Sequence, residues 1–350
     1  MTEFDLQISP DDDPCAGEGE VGLAIAHSGM ATLAGRPNVG KSTLMNAMVG
    51  EKLAIVSPKP QTTRDQIRGI LTTPTTQVVF IDTPGLHEPR SRLNRAMVGA
   101  AVEALESVDL VVMVVDARQV VRGMQRSGEL KVDMVGLPTP EAGAPLPPLD
   151  GRIPPPDRRI IHQIREHSRK WMLVLNKIDL IKKPLLLPLM SAYGSAVDAV
   201  AMLPVSAKSG DGLEALVSTI ESMMPPGPQL YGADELTDRS LRFLAAELIR
   251  EQVFLQIEQE VPYGVAVEIE LWDESAEKVH VQALIHVERT SQRGILIGRG
   301  GARLKAIGTV ARREIEKMLE RKVFLQILIR VEPNWSERLA TLRRFGYAAR

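Results

Sequence analysis

The chain is poor in several things that would define other kinds of protein. A single cysteine, Cys15, stands in 350 residues, which excludes an internal disulfide framework and a thiolate zinc cluster. Aromatic residues make up only 4%, so any recognition of nucleic acid by base stacking would be sparse. The longest apolar runs, at 110–115 and 185–190, fall far short of the roughly 18 residues that a membrane-spanning helix requires. No Lys or Arg precedes Arg36, whereas Glu3, Asp5, Asp11, Asp12, Asp13, Glu18 and Glu20 all do. The basic start of a signal peptide is therefore missing, and the cytoplasm is the expected compartment. No internal repeat is visible.

What remains is ordinary globular material: 44% hydrophobic and 25% charged, a balance that argues against wholesale disorder or a fibrous repeat. At roughly 150 residues per domain, two or three domains are expected. The net charge of −2 hides an asymmetry. Residues 289–350 hold fifteen Lys and Arg against five Glu, so this end is the one suited to a polyanion.

Punctuation divides the chain. Residues 1–28 are acidic and rich in Gly and Ala and read as a flexible tail. From 29 to 225, apolar runs at 31–34, 78–81, 110–115, 172–175 and 201–205 alternate with amphipathic stretches at 42–48, 92–107, 158–169 and 213–223. Runs of the first kind suit strands buried on both faces, and the alternation predicts a mostly parallel α/β sheet. Within it, 138–156 contains eight prolines in nineteen residues, which excludes a helix or a central strand there. We read about 119–157 as a surface insertion. Pro225, Pro226, Gly227 and Pro228 open a linker, 226–236. Beyond it, 237–350 predicts a helix (238–257), two strands (265–271 and 279–287), a helix after a glycine-rich loop (302–319), a strand (323–331) and a short closing helix.

The run Gly35, Arg36, Pro37, Asn38, Val39, Gly40, Lys41, Ser42, Thr43 matches the P-loop pattern between a strand and a helix. Its glycines admit backbone N–H groups to the α and β phosphates. Lys41 reaches the β and γ oxygens, and Ser42 suits Mg²⁺. Asp82, Thr83, Pro84 and Gly85 end the next strand: the carboxylate would hold Mg²⁺ through water, and the Gly85 N–H can meet the γ-phosphate. Asn176, Lys177 and Asp179 end a later strand. A carboxylate there can accept from guanine N1–H and the 2-amino group, a donor pair that adenine lacks. Lys177 would lay its stem over the ring, and Asn176 would tie this turn to the P-loop. Ser206, Ala207 and Lys208 follow the last strand, with the Ala207 N–H suited to guanine O6. Ligands of open α/β sheets bind at the carboxyl ends of the strands, which is where all four motifs fall. Between them, Pro60, Gln61, Thr62, Thr63 and Arg64 form a polar loop in which one hydroxyl could complete the Mg²⁺ shell, Thr63 in preference to Thr62.

These motifs resemble a translation-factor-type GTPase and, more narrowly, the bacterial Era family. The likeness continues through Leu236, Thr237, Asp238, Arg239 and Ser240, through 246–251, and through Val261, Pro262, Tyr263 and Gly264. Leu86 stands where Ras-like enzymes carry a water-orienting Gln, which implies slow intrinsic hydrolysis. Asn38 stands where related GTPases coordinate an activating K⁺; a purely loop-stabilising role is the alternative. Gly298, Arg299, Gly300 and Gly301 form a G-x-x-G loop before an amphipathic helix, flanked by Arg303 and Lys305. The glycines let an RNA backbone approach closely and the cations offset its phosphates. With the order of elements around it, this segment resembles a type II KH domain. The expected fold is thus a P-loop GTPase domain with a mostly parallel sheet, then a smaller α+β type II KH domain.

The resemblance implies a GTP/GDP switch that uses Mg²⁺, binds the 3′ end of small-subunit ribosomal RNA and acts in assembly of the small ribosomal subunit, as a monomer. Two rivals compete with it. One is a P-loop kinase or ATPase, disfavoured by Asn176 and Asp179. The other is a GTPase whose basic end docks peripherally on anionic lipid at the inner face of the cell membrane.

Overall fold

The computed structural model describes residues 25–59, 62–86, 91–126, 153–168, 170–194, 197–258, 261–275 and 277–347. The acidic tail through residue 24, Cys15, Pro60, Gln61 and the proline-rich stretch 138–152 lie outside the described residues. The first body runs β1 (His27–Ala34), α1 (Lys41–Val49), β2 (Ile67–Thr72), β3 (Thr76–Asp82), α2 (Arg92–Glu106), β4 (Leu110–Asp116), α3 (Ala117–Arg126), α4 (Pro155–His167), β5 (Trp171–Asn176), α5 (Leu186–Gly194), β6 (Met202–Val205) and α6 (Leu213–Ser222). Its six strands lie in the order β2-β3-β1-β4-β5-β6. All pairings are parallel except β2 with β3.

The period-2 geometry of a strand divides β4 between two cores. Val111, Met113 and Val115 pack with Leu105 of α2, Val120 of α3, Ile161 of α4 and Tyr193 of α5. Leu110, Val112 and Val114 pack with Leu44 and Met45 of α1 and with Leu216 and Ile220 of α6. Helices therefore cover both faces, which is why β3, β4 and β5 are buried at every residue and read as continuous apolar runs. β6 departs from that expectation: three of its four residues are only half-buried, because it is the edge strand.

The insertion is narrower than the sequence suggests. Residues 119–126 continue the helix α3, whose start is secured by Asp116 Oδ1 accepting from the Gln119 N–H at 3.1 Å. At the other end α4 begins at Pro155, with proline in its first turn. Proline is tolerated there because the first N–H groups of a helix have no intrahelical acceptor. β1 likewise begins inside the expected tail, with the Ser28 N–H donating to the Pro225 carbonyl at 3.1 Å.

The linker is fastened along the β2–β3 edge. Gln77 Oε1 accepts from the Leu230 and Tyr231 N–H groups at 2.8 and 2.9 Å, and the Leu236 carbonyl accepts from the Ile70 N–H at 2.8 Å. Exposed strand edges invite unwanted pairing, and this coverage removes one.

The second body comprises α7 (Leu241–Gln256), β7 (Val265–Asp273), β8 (Val279–Val287), α8 (Thr290–Ile297), α9 (Ala302–Leu319), β9 (Val323–Val331) and α10 (Leu339–Arg344). β7 pairs antiparallel and β9 parallel to the central β8. Ala245, Ile249 and Val253 of α7 and Ile307, Ala311 and Ile315 of α9 cover the sheet. Ser240 caps α7, its Oγ accepting from the Phe243 N–H at 3.3 Å. Residues 244–254 of α7 are all buried, Glu247, Arg250, Glu251 and Gln252 included. A helix buried all round has neighbours on every side, and here the second neighbour is the first body.

Candidate nucleotide and RNA sites

Sheet register gathers the motifs. Asp82 at the end of β3 pairs with Leu33 of β1, and Asn176 at the end of β5 lies between Asp116 of β4 and Val205 of β6. The P-loop leaves β1 beside them and enters α1. Gly40 is the N-cap of α1, with φ of 101°, and a Cβ there would stand 2.4 Å from Asn176 Nδ2. Only glycine permits this approach. The Asn176 amide uses it to donate to the Val39 carbonyl at 2.9 Å, joining the guanine turn to the P-loop.

Lys41 is buried and donates to the Gly35 and Arg36 carbonyls at 3.2 and 3.1 Å. Burial lowers its pKa to about 8, opposed by the charge of Asp82. Burial also raises the pKa of Asp82, against the opposing effects of Lys41, Ser42 and Thr63. Ser42 Oγ donates to Asp82 Oδ2 at 2.6 Å and lies 2.8 Å from Thr63 Oγ1, which in turn donates to Asp82 Oδ2 at 3.3 Å. The other carboxylate oxygen, Asp82 Oδ1, is buried without a hydrogen-bond partner. Leaving such an atom unpaired is costly, and two hydroxyls beside a lone carboxylate oxygen are a donor set that fits hard Mg²⁺. Thr62 is differently employed: its hydroxyl donates to the Lys59 carbonyl at 2.7 Å and lies 2.8 Å from Ser57 Oγ. A cavity of about 60 Å³ opens here, lined by Asn38, Lys41, Ser42, Thr43, Thr63 and Gly85 among others.

The remaining nucleotide candidates divide into those facing the site and those used structurally. Arg36 turns its side chain away, to an ion pair with buried Asp157 of α4 at 2.7 Å, leaving its backbone to the P-loop. Pro37 closes on Gly85, where a Cβ would come within 2.7 Å of the Pro37 nitrogen. Thr83 Oγ1 donates to the Leu33 carbonyl at 2.9 Å, and Pro84 is buried beside it. Asn38 Nδ2 donates to the Pro58 carbonyl at 2.7 Å. Lys177 reaches back to the Asn38 carbonyl at 2.6 Å and to Asp116 at 2.8 Å. Asp179 is exposed, its carboxylate oriented by Ser206 Oγ at 2.8 Å, while Lys208 points into solvent. The Ala207 N–H differs from expectation: it donates to Asn176 Oδ1 at 3.0 Å, an oxygen that also accepts from the Lys177 N–H at 2.8 Å.

In the second body the loop between α8 and α9 holds Gly298, Gly300 and Gly301 at φ of 71°, 56° and 78°. A Cβ on Gly298 would meet that of Arg303 at 2.8 Å. Arg299, Arg303 and Lys305 are exposed around it. Arg303 also donates to the Ile295 carbonyl at 2.8 Å, so it braces the loop as well as charging it. Next to the loop runs an apolar groove of about 410 Å³, floored by Leu284, Ile297, Leu304, Ile327 and Ile329 with Arg293 and Arg330 at its rim.

Comparison with known proteins agrees with this geometry. Residues 30–177 match the family model described as 50S ribosome-binding GTPase, and 260–336 match the KH domain model. The GTPase Era of Geobacter sp. (strain M21) is 43% identical over 321 residues, 91% of this chain and 97% of that protein. That of Lacticaseibacillus paracasei is 41% identical over 322 residues, 92% of this chain and 97% of that protein. The chain belongs to the Era family of GTPases. Two solved Era structures match most of the chain, across both bodies. A complex of Era with MgGDPNP and nucleotides 1506–1542 of 16S ribosomal RNA superposes with a TM-score of 0.80 at 33% identity, covering 93% of this chain and all of that one. An Aquifex aeolicus Era variant bound to GDP.AlF4− gives 0.79 at 32%, covering 92% and all.

As an Era-family GTPase, the chain hydrolyses GTP with the P-loop domain and carries an RNA-binding KH domain. Sequence reading passed over three residues that the structure brings to these sites. Asp116 holds Lys177; a carboxylate ending a buried strand is the signal that could have revealed it. Asp157 holds Arg36, but it sits in what reads as an insertion. Arg64 is quoted in the loop motif with no role, yet it is one of the most deeply buried charges in the protein, at 3% exposure.

Proposed function

We propose that this chain is a GTP-controlled RNA-binding switch whose KH domain docks on the 3′ region of small-subunit ribosomal RNA during assembly of that subunit in the cytoplasm. The observation that carries the reading is the pairing of a guanine-type turn with an exposed G-x-x-G loop in one chain, 93% of which is covered by a solved Era bound to 16S ribosomal RNA nucleotides. Ser42, Thr63 and Asp82 would hold Mg²⁺, which when bound neutralises charge on the β and γ oxygens. Lys41 orients those same oxygens from a buried position, and the Gly85 N–H approaches the γ-phosphate. Asp179 selects guanine, and Asn38 Oδ1 is the oxygen left to hold K⁺. Leu86 is buried in the core and has no polar atom with which to orient the attacking water. Intrinsic turnover is therefore slow, at or below about 10⁻⁴ s⁻¹, the order found where a water-orienting Gln is present without an added arginine. The alternative of anionic lipid as the partner has no observation in its favour.

Crosslinking the full chain to cellular RNA in the presence of a non-hydrolysable GTP analogue, then sequencing, tests this. Reads concentrated at the 3′ end of the small-subunit RNA are expected. Dispersed reads, together with flotation on anionic vesicles, would favour the lipid reading instead.

A further inference from the structure

The two residues Thr63 and Arg64 point in opposite directions. Thr63 Oγ1 joins Ser42 and Asp82. Arg64, its neighbour, sends its guanidinium into the KH body, where it donates to the carbonyls of Val265 at 2.5 Å, Tyr263 at 2.8 Å and Pro262 at 3.2 Å. Its Cζ lies 5.7 to 5.9 Å from the ring centroids of Phe254, Trp335 and Tyr347. These carbonyls belong to the turn that enters β7, and Trp335 secures the same turn by donating to the Gly264 carbonyl at 2.9 Å. A planar fork with five donors fits such a cluster of acceptors, and a lysine could satisfy only part of it.

Arg64 is reinforced from the other end of the loop. Glu251 of α7 accepts from Lys52 Nζ at 2.7 Å and from the Val56 N–H at 2.9 Å. Lys59 donates to the Phe254 and Ile257 carbonyls at the carboxyl end of α7, where a cation is favoured by the helix dipole. The segment between α1 and β2 is thus held at both ends by the KH body, and the Thr63 hydroxyl rides on it. Within the first body the Thr63 hydroxyl meets Ser42 and Asp82, and the same segment is tied by Asn38 donating to the Pro58 carbonyl at 2.7 Å and by Asn46 accepting from the Leu53 and Ala54 N–H groups. The residue next to Thr63 in the chain is the one anchored in the KH body.

We infer that Arg64 is a positioning residue for GTP hydrolysis: by docking in the KH domain it holds the Thr63 hydroxyl at the Mg²⁺ site, so that the KH domain completes the nucleotide site. This deepens the function proposed above and rests on its assignment of Thr63 to the metal shell. Because coupling between two ligands is reciprocal in binding free energy, RNA that shifts the turn at 261–265 must alter nucleotide affinity by the same factor as nucleotide alters RNA affinity.

The test compares Arg64→Met, Arg64→Lys, Thr63→Ala and the double variant Thr63→Ala with Arg64→Met, all in the full chain. The measurements are kcat, KM, the Mg²⁺ concentration for half-maximal rate, and GDP affinity. Arg64→Met should lower kcat by about 10- to 100-fold, the effect expected from misplacing a group at a reacting centre. It should also raise the Mg²⁺ requirement while leaving GDP affinity unchanged. On the Thr63→Ala background the same change should alter kcat by less than about twofold, since residues acting through one another are not additive. Arg64→Lys should fall between Arg64→Met and the wild type. If Arg64→Met fails to fold, Arg64→Lys decides: reduced kcat with unchanged GDP affinity supports the inference, and wild-type kcat with wild-type Mg²⁺ dependence overturns it. An impaired Thr63→Ala beside a fully active Arg64→Met would overturn the coupling alone. A fully active Thr63→Ala would overturn the metal assignment and the coupling with it.

Discussion

The nucleotide site and the RNA loop are built on opposite principles. Around the P-loop, the polar groups are buried and already bonded to one another: Lys41 to two carbonyls, Ser42 to Asp82, Asn176 to Val39. Around the G-x-x-G loop, backbone conformation does most of the work, and the cations stand in solvent. The difference follows from the two tasks. Reaction needs donors fixed in a dry, low-dielectric place, where they cost no reorganisation. Gripping a flexible polyanion needs close backbone approach and screened charge. Damage to the first site should therefore be severe and discrete, and damage to the second graded and sensitive to salt.

The sharpest break of this contrast is at the base. Asp179→Asn loses two charge-assisted hydrogen bonds to guanine, each worth roughly 1.5–3 kcal/mol. GTP affinity should fall on the order of 10²- to 10⁴-fold, with xanthosine triphosphate gaining, as titration calorimetry would show. Lys41→Met comes next. Removing a buried charge aimed at the phosphates should reduce kcat/KM by about 10²- to 10³-fold, while RNA affinity measured without nucleotide stays as it was. If RNA affinity fell as well, the two sites would not be separable in this way.

The RNA side should respond more gently. Gly298→Asp with Gly301→Asp places side chains at φ of 71° and 78° and adds like charge to a phosphate-binding loop. RNA affinity should drop by at least about tenfold, with GTP turnover in the absence of RNA retained. The smallest change is Lys305→Ala, which should flatten the log–log salt dependence of RNA binding by about 0.7, the contribution of one neutralised phosphate on a single strand. An unchanged slope would remove Lys305 from the contact surface.

Much of the first site is readable from local sequence because each motif ends a buried strand, and parallel topology brings those ends together by rule. The preference for Thr63 over Thr62 is of another kind, since two adjacent hydroxyls are equivalent until the loop is folded. The helix over 241–256 is likewise legible as a helix. The pattern does not say that Glu247 and Arg250 are buried and paired with each other, nor that buried Glu251 bonds to Lys52 and the Val56 N–H of the other body. Trp335 shows the same limit. Its place after the last strand of the second body is local, whereas the structure gathers Leu93 and Met97 of α2 around it, residues more than two hundred positions away.

Sequence alone determined the buried strands and many of the helices between them, the glycines where the backbone turns left-handed or comes close to its neighbours, and the residue types that can meet phosphate, guanine and RNA. These are local properties: they depend on a residue and the few beside it. Tertiary structure decided which charges became internal. Arg64, Asp157 and Glu251 look like surface residues in any short window, and they are buried because distant segments supply carbonyls, a guanidinium or an N–H at the right place. Burial of a charge is tolerated only when such partners arrive with it, and their arrival is a property of the folded chain as a whole.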